Sequence, residues 1–245
     1  MVAIVGQVIG GLISGSIALS IGVSMSGPAW TWSVAAAIGN SLGIVFLYRG
    51  LGRGRMSVVA PLSGIGAAAL PVIVGFADGE RPGTWAVIGL VAAIPAILMV
   101  AHVRSEEAGP SGWLDGLIAG IGFGLGFLAV ARLPHQAGLA GLSLMQLLSA
   151  LLIAATLVGG GVAAYRLPGQ YVPGAAVTGV LSGSAVYLFQ IASHHGYLSE
   201  TAVLASLYPA VTVALALTVL RERVSAIQVT GFALCATSIG LIVSG

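Results

Sequence analysis

No charged side chain occurs in the first 48 residues of this 245-residue chain. An ordinary soluble domain devotes about a quarter of its residues to charge. Here the whole chain holds nine basic and seven acidic residues, every basic one an arginine, and its mean hydropathy is +1.06. Such a surface cannot be solvated by water, so the solvent is lipid. A spanning helix needs about 20 mostly apolar residues. Nine stretches of that kind can be read: 2–26, 30–48, 56–77, 85–102, 114–131, 139–164, 174–193, 201–220 and 225–244. Helices follow because an unpaired backbone amide in hydrocarbon costs several kcal/mol. A barrel would alternate polarity in segments of about 10 residues, which these stretches do not do.

The loops between the stretches are too short to hold a soluble domain, so function belongs within the bundle or at its faces. No basic segment precedes the first apolar run, which argues against a cleaved leader. No basic patch suits nucleic acid. The single Cys235 lies in an apolar stretch and reads as an inert buried thiol. No metal-ligand spacing or cofactor fingerprint is present. Seven arginines (Arg49, Arg53, Arg55, Arg104, Arg166, Arg221 and Arg223) fall in even-numbered loops, against Arg81 and Arg132 in odd ones. The positive-inside rule then puts Met1 in the cytoplasm and Gly245 outside.

The chain also repeats itself. Residues 38–101 align without a gap on 180–243, a shift of 142 that lays Glu80-Arg81 on Glu222-Arg223. Gly54, Ser57, Ala60, Leu62, Val87, Gly89 and Ile97 fall on Gly196, Ser199, Ala202, Leu204, Val229, Gly231 and Ile239. The second unit holds five helices and the first reads as the same module lacking its opening helix. Five is odd, so the two copies should face opposite ways across the membrane, as in many secondary transporters. The reading is an all-α integral membrane protein of nine transmembrane helices in two inverted repeats (4 + 5). Residues 1–102 form the first repeat, 103–113 a linker loop and 114–245 the second.

Segment 198–242, with L-S-E-T-A-V-L-A-S-L-Y-P-A-V-T, L-R-E-R-V and Q-V-T-G-F-A-L-C-A-T-S-I-G-L-I, resembles the end of an EamA-type module of the drug/metabolite transporter superfamily. Segment 57–97, with S-V-V-A-P-L, G-E-R-P and G-L-V-A-A-I-P-A-I, resembles the same module's first copy. The resemblance implies a ten-helix exporter of amino acids, other metabolites or drugs with a central cavity between two repeats. This chain departs from it in lacking the opening helix. It departs also in placing Gly245 outside, where the family keeps both termini cytoplasmic.

Polar residues inside apolar stretches are the candidate site, because each needs a partner in hydrocarbon. Thr201, Ala205, Tyr208 and Thr212 share one helix face, and Pro209 should kink that helix. Pro61, inside 56–77, is a second candidate gating bend. Tyr187, Gln190 and His194 share a face of 174–193. Asn40 and Gln146 sit inside their own helices. The expected substrate-binding set is Asn40, Gln146, Tyr187, Gln190, Thr201, Tyr208 and Thr212, with Asn40, Tyr187, Gln190 and Tyr208 converging on one cavity. No mid-helix carboxylate exists, so Glu200, beside His194 and His195, is the candidate proton-coupling group, and a neutral or zwitterionic solute fits better than a cation. Glu80-Arg81 and Glu222-Arg223 read as turn or helix-capping pairs. Glycines at four-residue spacing (Gly6 and Gly10, Gly11 and Gly15, Gly116, Gly120 and Gly124) read as close helix contacts.

The function expected is a carrier in the cell (plasma or inner) membrane, exporting a small metabolite by alternating access. Its partners are the solute, the bilayer and, as a candidate, a second copy of the chain. A non-transporting membrane subunit or degenerate transporter paralogue is the alternative. An intramembrane enzyme would need H-E-x-x-H, G-x-S-x-G or a facing acid pair, and none is present.

Overall fold

The computed structural model describes residues 1–23, 25–53, 56–100, 112–159, 169, 172–208 and 225–244, with backbone alone at Met56 and Ser57. Among them every regular element is helical. They are α1 (Val2–Ser20), α2 (Gly27–Arg53), α3 (Met56–Ala77), α4 (Thr84–Val100), α5 (Trp113–Ala131), a 3-10 turn at His135–Ala137, α6 (Gly138–Gly159), α7 (Val172–His195), α8 (Leu198–Ser206) and α9 (Ala226–Ser244). Seven of these helices are long and apolar enough to cross a membrane. α4 has 17 residues, and α8 starts three residues ahead of the span read at 201–220, of which 209–220 lies outside the described residues. Pro209, Thr212 and the Glu222-Arg223 pair lie there too.

The expected spans differ from the helices mainly at α1, which stops at Ser20 rather than 26, and at α2, which runs to Arg53 rather than 48. Gly22 takes φ +70°, a left-handed conformation that glycine adopts without a Cβ penalty. Val23 N–H then bonds Ala18 O at 3.0 Å and Gly22 N–H bonds Leu19 O at 3.3 Å, which closes the helix as a Schellman motif. α2 starts three residues earlier than expected because Ser26 caps it, its Oγ accepting from Ala29 N–H at 3.3 Å. α3 ends in the same way as α1, with Gly79 at φ +93° and Glu80 N–H bonded to Gly75 O at 2.9 Å.

The helices pack as two compact units that do not follow chain order: Met1–Val45 with Leu125–His195, and Phe46–Gly124 with Gly196–Gly245. The chain passes from one to the other within α2, within α5 and between α7 and α8. In the first unit α1 packs on α6 and α7 through its glycines, Gly10 meeting both helices and Gly11 meeting α6. A Cβ on Gly10 would lie 2.9 Å from Gly179 O on α7, and one on Gly11 would lie 2.8 Å from Leu147 Cγ on α6. Ser143 Oγ adds a hydrogen bond to Gly11 O at 2.7 Å.

In the second unit α5 lies against α3 through Gly116, Gly120 and Gly124. A Cβ on Gly120 would come within 2.7 Å of Gly66 Cα, so the two backbones touch. Arg49 ties the end of α2 to the start of α5 by donating from Nε and Nη2 to Asp115 Oδ1 at 2.9 and 2.6 Å. α4 and α9 run antiparallel along a core of Leu90, Ala93, Ile97, Cys235 and Ile242. Their contacts are reciprocal: Gly89 faces Ile242, and Gly231 faces Val100. Each residue of the first pair stands 142 positions from its counterpart in the second, the register of the sequence alignment. Ser238 Oγ donates to Gly89 O at 2.6 Å across the same crossing.

Side chains cannot enter these crossings without separating the helices, which costs roughly 1–3 kcal/mol. Gly120→Val should therefore lower the thermal unfolding midpoint in lipid nanodiscs. Exposed Gly52→Val, with nothing near its Cβ position, should change it little. Cys235 is buried and is the sole cysteine, so its reaction with a thiol-reactive fluorophore reports unfolding. Equal midpoints for the two variants contradict the packing described.

Candidate functional site

A polar side chain held in hydrocarbon either finds a protein partner or waits for another one. In the first unit the α2–α6 contact is bridged by side-chain hydrogen bonds. Asn40 Nδ2 donates to Ser149 Oγ at 2.8 Å, and Ser41 Oγ lies 3.0 Å from the same hydroxyl. One turn earlier on α6, Gln146 is only 1% exposed, yet neither atom of its carboxamide has a hydrogen-bond partner among the described residues. It sits beneath the α1–α7 crossing, beside Gly10 and Gly183.

Gln190 on α7 is the second such amide. It is 4% exposed and its Nε2 is unpartnered. Its side chain lines a cavity of about 170 Å³ together with Tyr187, His135, Gln136 and Gly138. A second cavity, of about 240 Å³, shares Tyr187 and Leu139 and runs along the glycine crossing of α1 and α7. Next to the first cavity, the His135 ring stands edge-on to His194 at 4.1 Å between centroids, with His195 at 5.8 Å. Phe127 and Phe189 stack at 4.5 Å on the neighbouring turn.

The second unit has its own polar pair. Tyr208 and Ser63 hydroxyls lie 2.8 Å apart, joining the chain just past α8 to α3. Pro61, two residues before Ser63, is fully buried. Thr201 shares the face of Tyr208 but donates to Tyr197 O of its own chain at 3.0 Å. A cavity of about 300 Å³ between α3, α4 and α8 is lined almost wholly by apolar side chains such as Ile65, Val72, Leu90 and Val203.

Glu80 caps α8. Its Oε1 accepts from Leu198 N–H at 2.6 Å and its Oε2 from Ser199 N–H at 3.1 Å, so the negative charge meets the positive end of the helix. Gly75 leaves space for that carboxylate, because a Cβ there would overlap it. Glu200 follows in the first turn of α8, one residue outside the span read at 201–220. Burial first, and the charge of Glu80 second, hold its carboxyl above the usual carboxylate range.

The structure thus brings Tyr187 and Gln190 to one cavity, gives Asn40 a partner on α6 and gives Tyr208 one on α3. Three participants were missed from sequence: Ser63, Ser149 and His135. Ser149 lies one turn from Gln146 on α6, a spacing that marks a shared face. Ser63 and Tyr208 are 145 positions apart, and no local pattern joins them. Among the described residues no three His, Cys, Asp or Glu side chains are grouped as metal ligands would be.

A bundle of apolar helices crossing at glycines, with polar side chains and cavities inside, defines a multi-pass membrane protein. The EamA-like transporter family matches residues 110–244, more than half of the chain. The chain belongs to that family and is an EamA-type membrane transporter of the drug/metabolite transporter superfamily. Sixteen solved chains match it. One, a crystal structure of a protein, superposes with a TM-score of 0.81 at 17% identity, covering 99% of this chain and 87% of that one. At that identity the likeness concerns the fold alone. No curated protein matches.

A carboxyl whose affinity for protons is raised by folding opposes folding when charged, and folding gains as pH falls through its raised pKa. Glu200→Gln should therefore raise the unfolding midpoint at neutral pH. The gain should vanish in acid, below the ordinary carboxylate value of about 4.3. An unchanged midpoint at neutral pH contradicts the environment assigned to Glu200.

Proposed function

We propose that this protein exports a small metabolite, amino-acid-like or drug-like, across the cell membrane by alternating access of two inverted repeats. The observation that carries the reading is the pair of buried side chains Gln146 and Gln190, the first with its whole carboxamide and the second with its Nε2 unpartnered among the described residues. A packing role would have matched their hydrogen bonds, since leaving a buried polar group unmatched costs roughly 1–3 kcal/mol. A passing solute supplies the missing partners and releases them. Asn40 and Tyr187 in the same unit, and Thr201, Tyr208 and Thr212 in the other, complete the proposed contacts. Pro61 and Pro209 supply the bends on which the gating helices move. Glu200 is the proposed coupling carboxyl, because it can take and release a proton at a helix start capped by Glu80. The reciprocal antiparallel contact of α4 with α9 supports the inverted-repeat part of this reading. Residues 1–102 and 114–245 are the proposed repeats, joined by 103–113.

Reconstitution into vesicles, with and without an imposed pH gradient, tests the carrier reading against a panel of labelled amino acids and neutral drugs. Saturable flux of at least one solute is expected. Tyr208→Phe removes one hydroxyl and no bulk, and Ser63→Ala removes its partner. Loss of one hydrogen bond worth about 1 kcal/mol corresponds to about fivefold slower flux in each variant at unchanged expression. No saturable flux for any solute overturns the carrier reading. Wild-type flux in both variants removes Tyr208 from the solute path.

A further inference from the structure

The helix that starts after Pro134 has no side chain capping its N-terminus. Its 3-10 turn, His135–Ala137, leads directly into α6, and the two form one apolar span of 24 residues over His135–Val158. Ala137 N–H bonds Pro134 O, and Gly138 N–H bonds His135 O. The N–H groups of His135 and Gln136 have no partner among the described residues, and both residues line the cavity of about 170 Å³. This places the positive end of a long helix at the cavity wall.

The facing wall holds the independent mark of a ligand. Gln190, nine-tenths buried and more, lines the same cavity with Nε2 unpartnered. Gly138 makes room for its carboxamide, since a Cβ there would come within 2.7 Å of Oε1. No carboxylate lines the cavity, and its remaining polar groups are the His135 ring, the Gln136 amide and the Tyr187 hydroxyl. Unmatched donors converging from two walls, at a helix N-terminus, are the arrangement that binds an anion. Past Tyr187 and Leu139 the adjoining cavity of about 240 Å³ offers Ile13, Ile17 and Val180. Its character suits a hydrocarbon substituent, not a second charge.

We infer that these joined cavities bind a carboxylate bearing a short apolar substituent. The carboxylate lies against the His135 and Gln136 amides and Gln190 Nε2, and the substituent lies beyond Tyr187. This names the solute class of the proposed site and so rests on the carrier reading.

Binding at equilibrium tests it without flux. Protein labelled with ¹⁵N-histidine in lipid nanodiscs is titrated with benzoate and, separately, with benzamide, which has the same shape and no charge. Benzoate should shift the His135 ring resonance (identified by its loss in His135→Gln) saturably, with benzamide weaker by about tenfold or more. Gln190→Met should weaken benzoate about fivefold. Gln136→Glu, at an exposed position that leaves the core intact, should do so at least as much by adding a like charge. Equal response to benzoate and benzamide, no saturable shift, or wild-type affinity in Gln136→Glu overturns the inference. Saturable benzoate binding without flux of any carboxylate in vesicles would support the site and overturn the carrier reading.

Discussion

Helices in lipid gain nothing by hiding apolar surface from one another, because lipid tails are as apolar as leucine. What holds this protein together is the approach of bare backbones at glycines, and everything else depends on it. Gly120 against Gly66, Gly10 against Gly179, and Gly89 and Gly231 against the opposing helix ends each remove a side chain from a crossing. At that separation a single hydroxyl can reach a carbonyl of the next helix, as Ser143 does to Gly11 and Ser238 does to Gly89. Close packing and interhelical hydrogen bonding are one device here.

The polar side chains then sort by whether this device uses them. Ser41, Ser149 and Asn40 are matched among themselves, and Tyr208 is matched with Ser63. Gln146 and Gln190 are placed as deeply but are left unmatched. Their neighbours are glycines, Gly10 and Gly183 for one and Gly138 for the other, so space for a carboxamide is provided even though a partner is not. That combination marks these two as solute-facing without excluding matched groups such as Asn40 and Tyr208, whose partners a solute can replace. It comes from backbone geometry rather than from residue type.

The spans of α3, α5 and α9 were legible in the sequence to within a residue or so, because hydrocarbon admits only long apolar helices. The glycine spacings were legible too, since they follow from local chemistry. A capping role for Glu80 was legible, but not the helix it caps, because α8 lies 118 positions away. The early end of α1 was not, because it depends on Gly22 turning left-handed inside a run that stays apolar. The site was legible only in part. Tyr187 and Gln190 share a face by spacing, and the structure keeps them at one cavity. Thr201 lies on a face that spacing assigns to solute, yet its hydroxyl turns back to Tyr197. Ser63, Ser149 and His135 act through contacts between distant parts of the chain, which periodicity along one helix does not encode.

The central claim is that the unmatched face of α7 meets a polar, water-reached path rather than lipid or packed helix. Three positions within one turn of that helix decide it. In a Cys235→Ala background, cysteine is placed singly at Tyr187, Gln190 and Leu188, the last 63% exposed on an apolar surface. Each is treated in intact membranes with a charged, water-soluble thiol reagent. The account predicts modification at 187 and 190 and none at 188, where lipid excludes the reagent. Cysteines at 187 and 190 as unreactive as the one at 188 would contradict it.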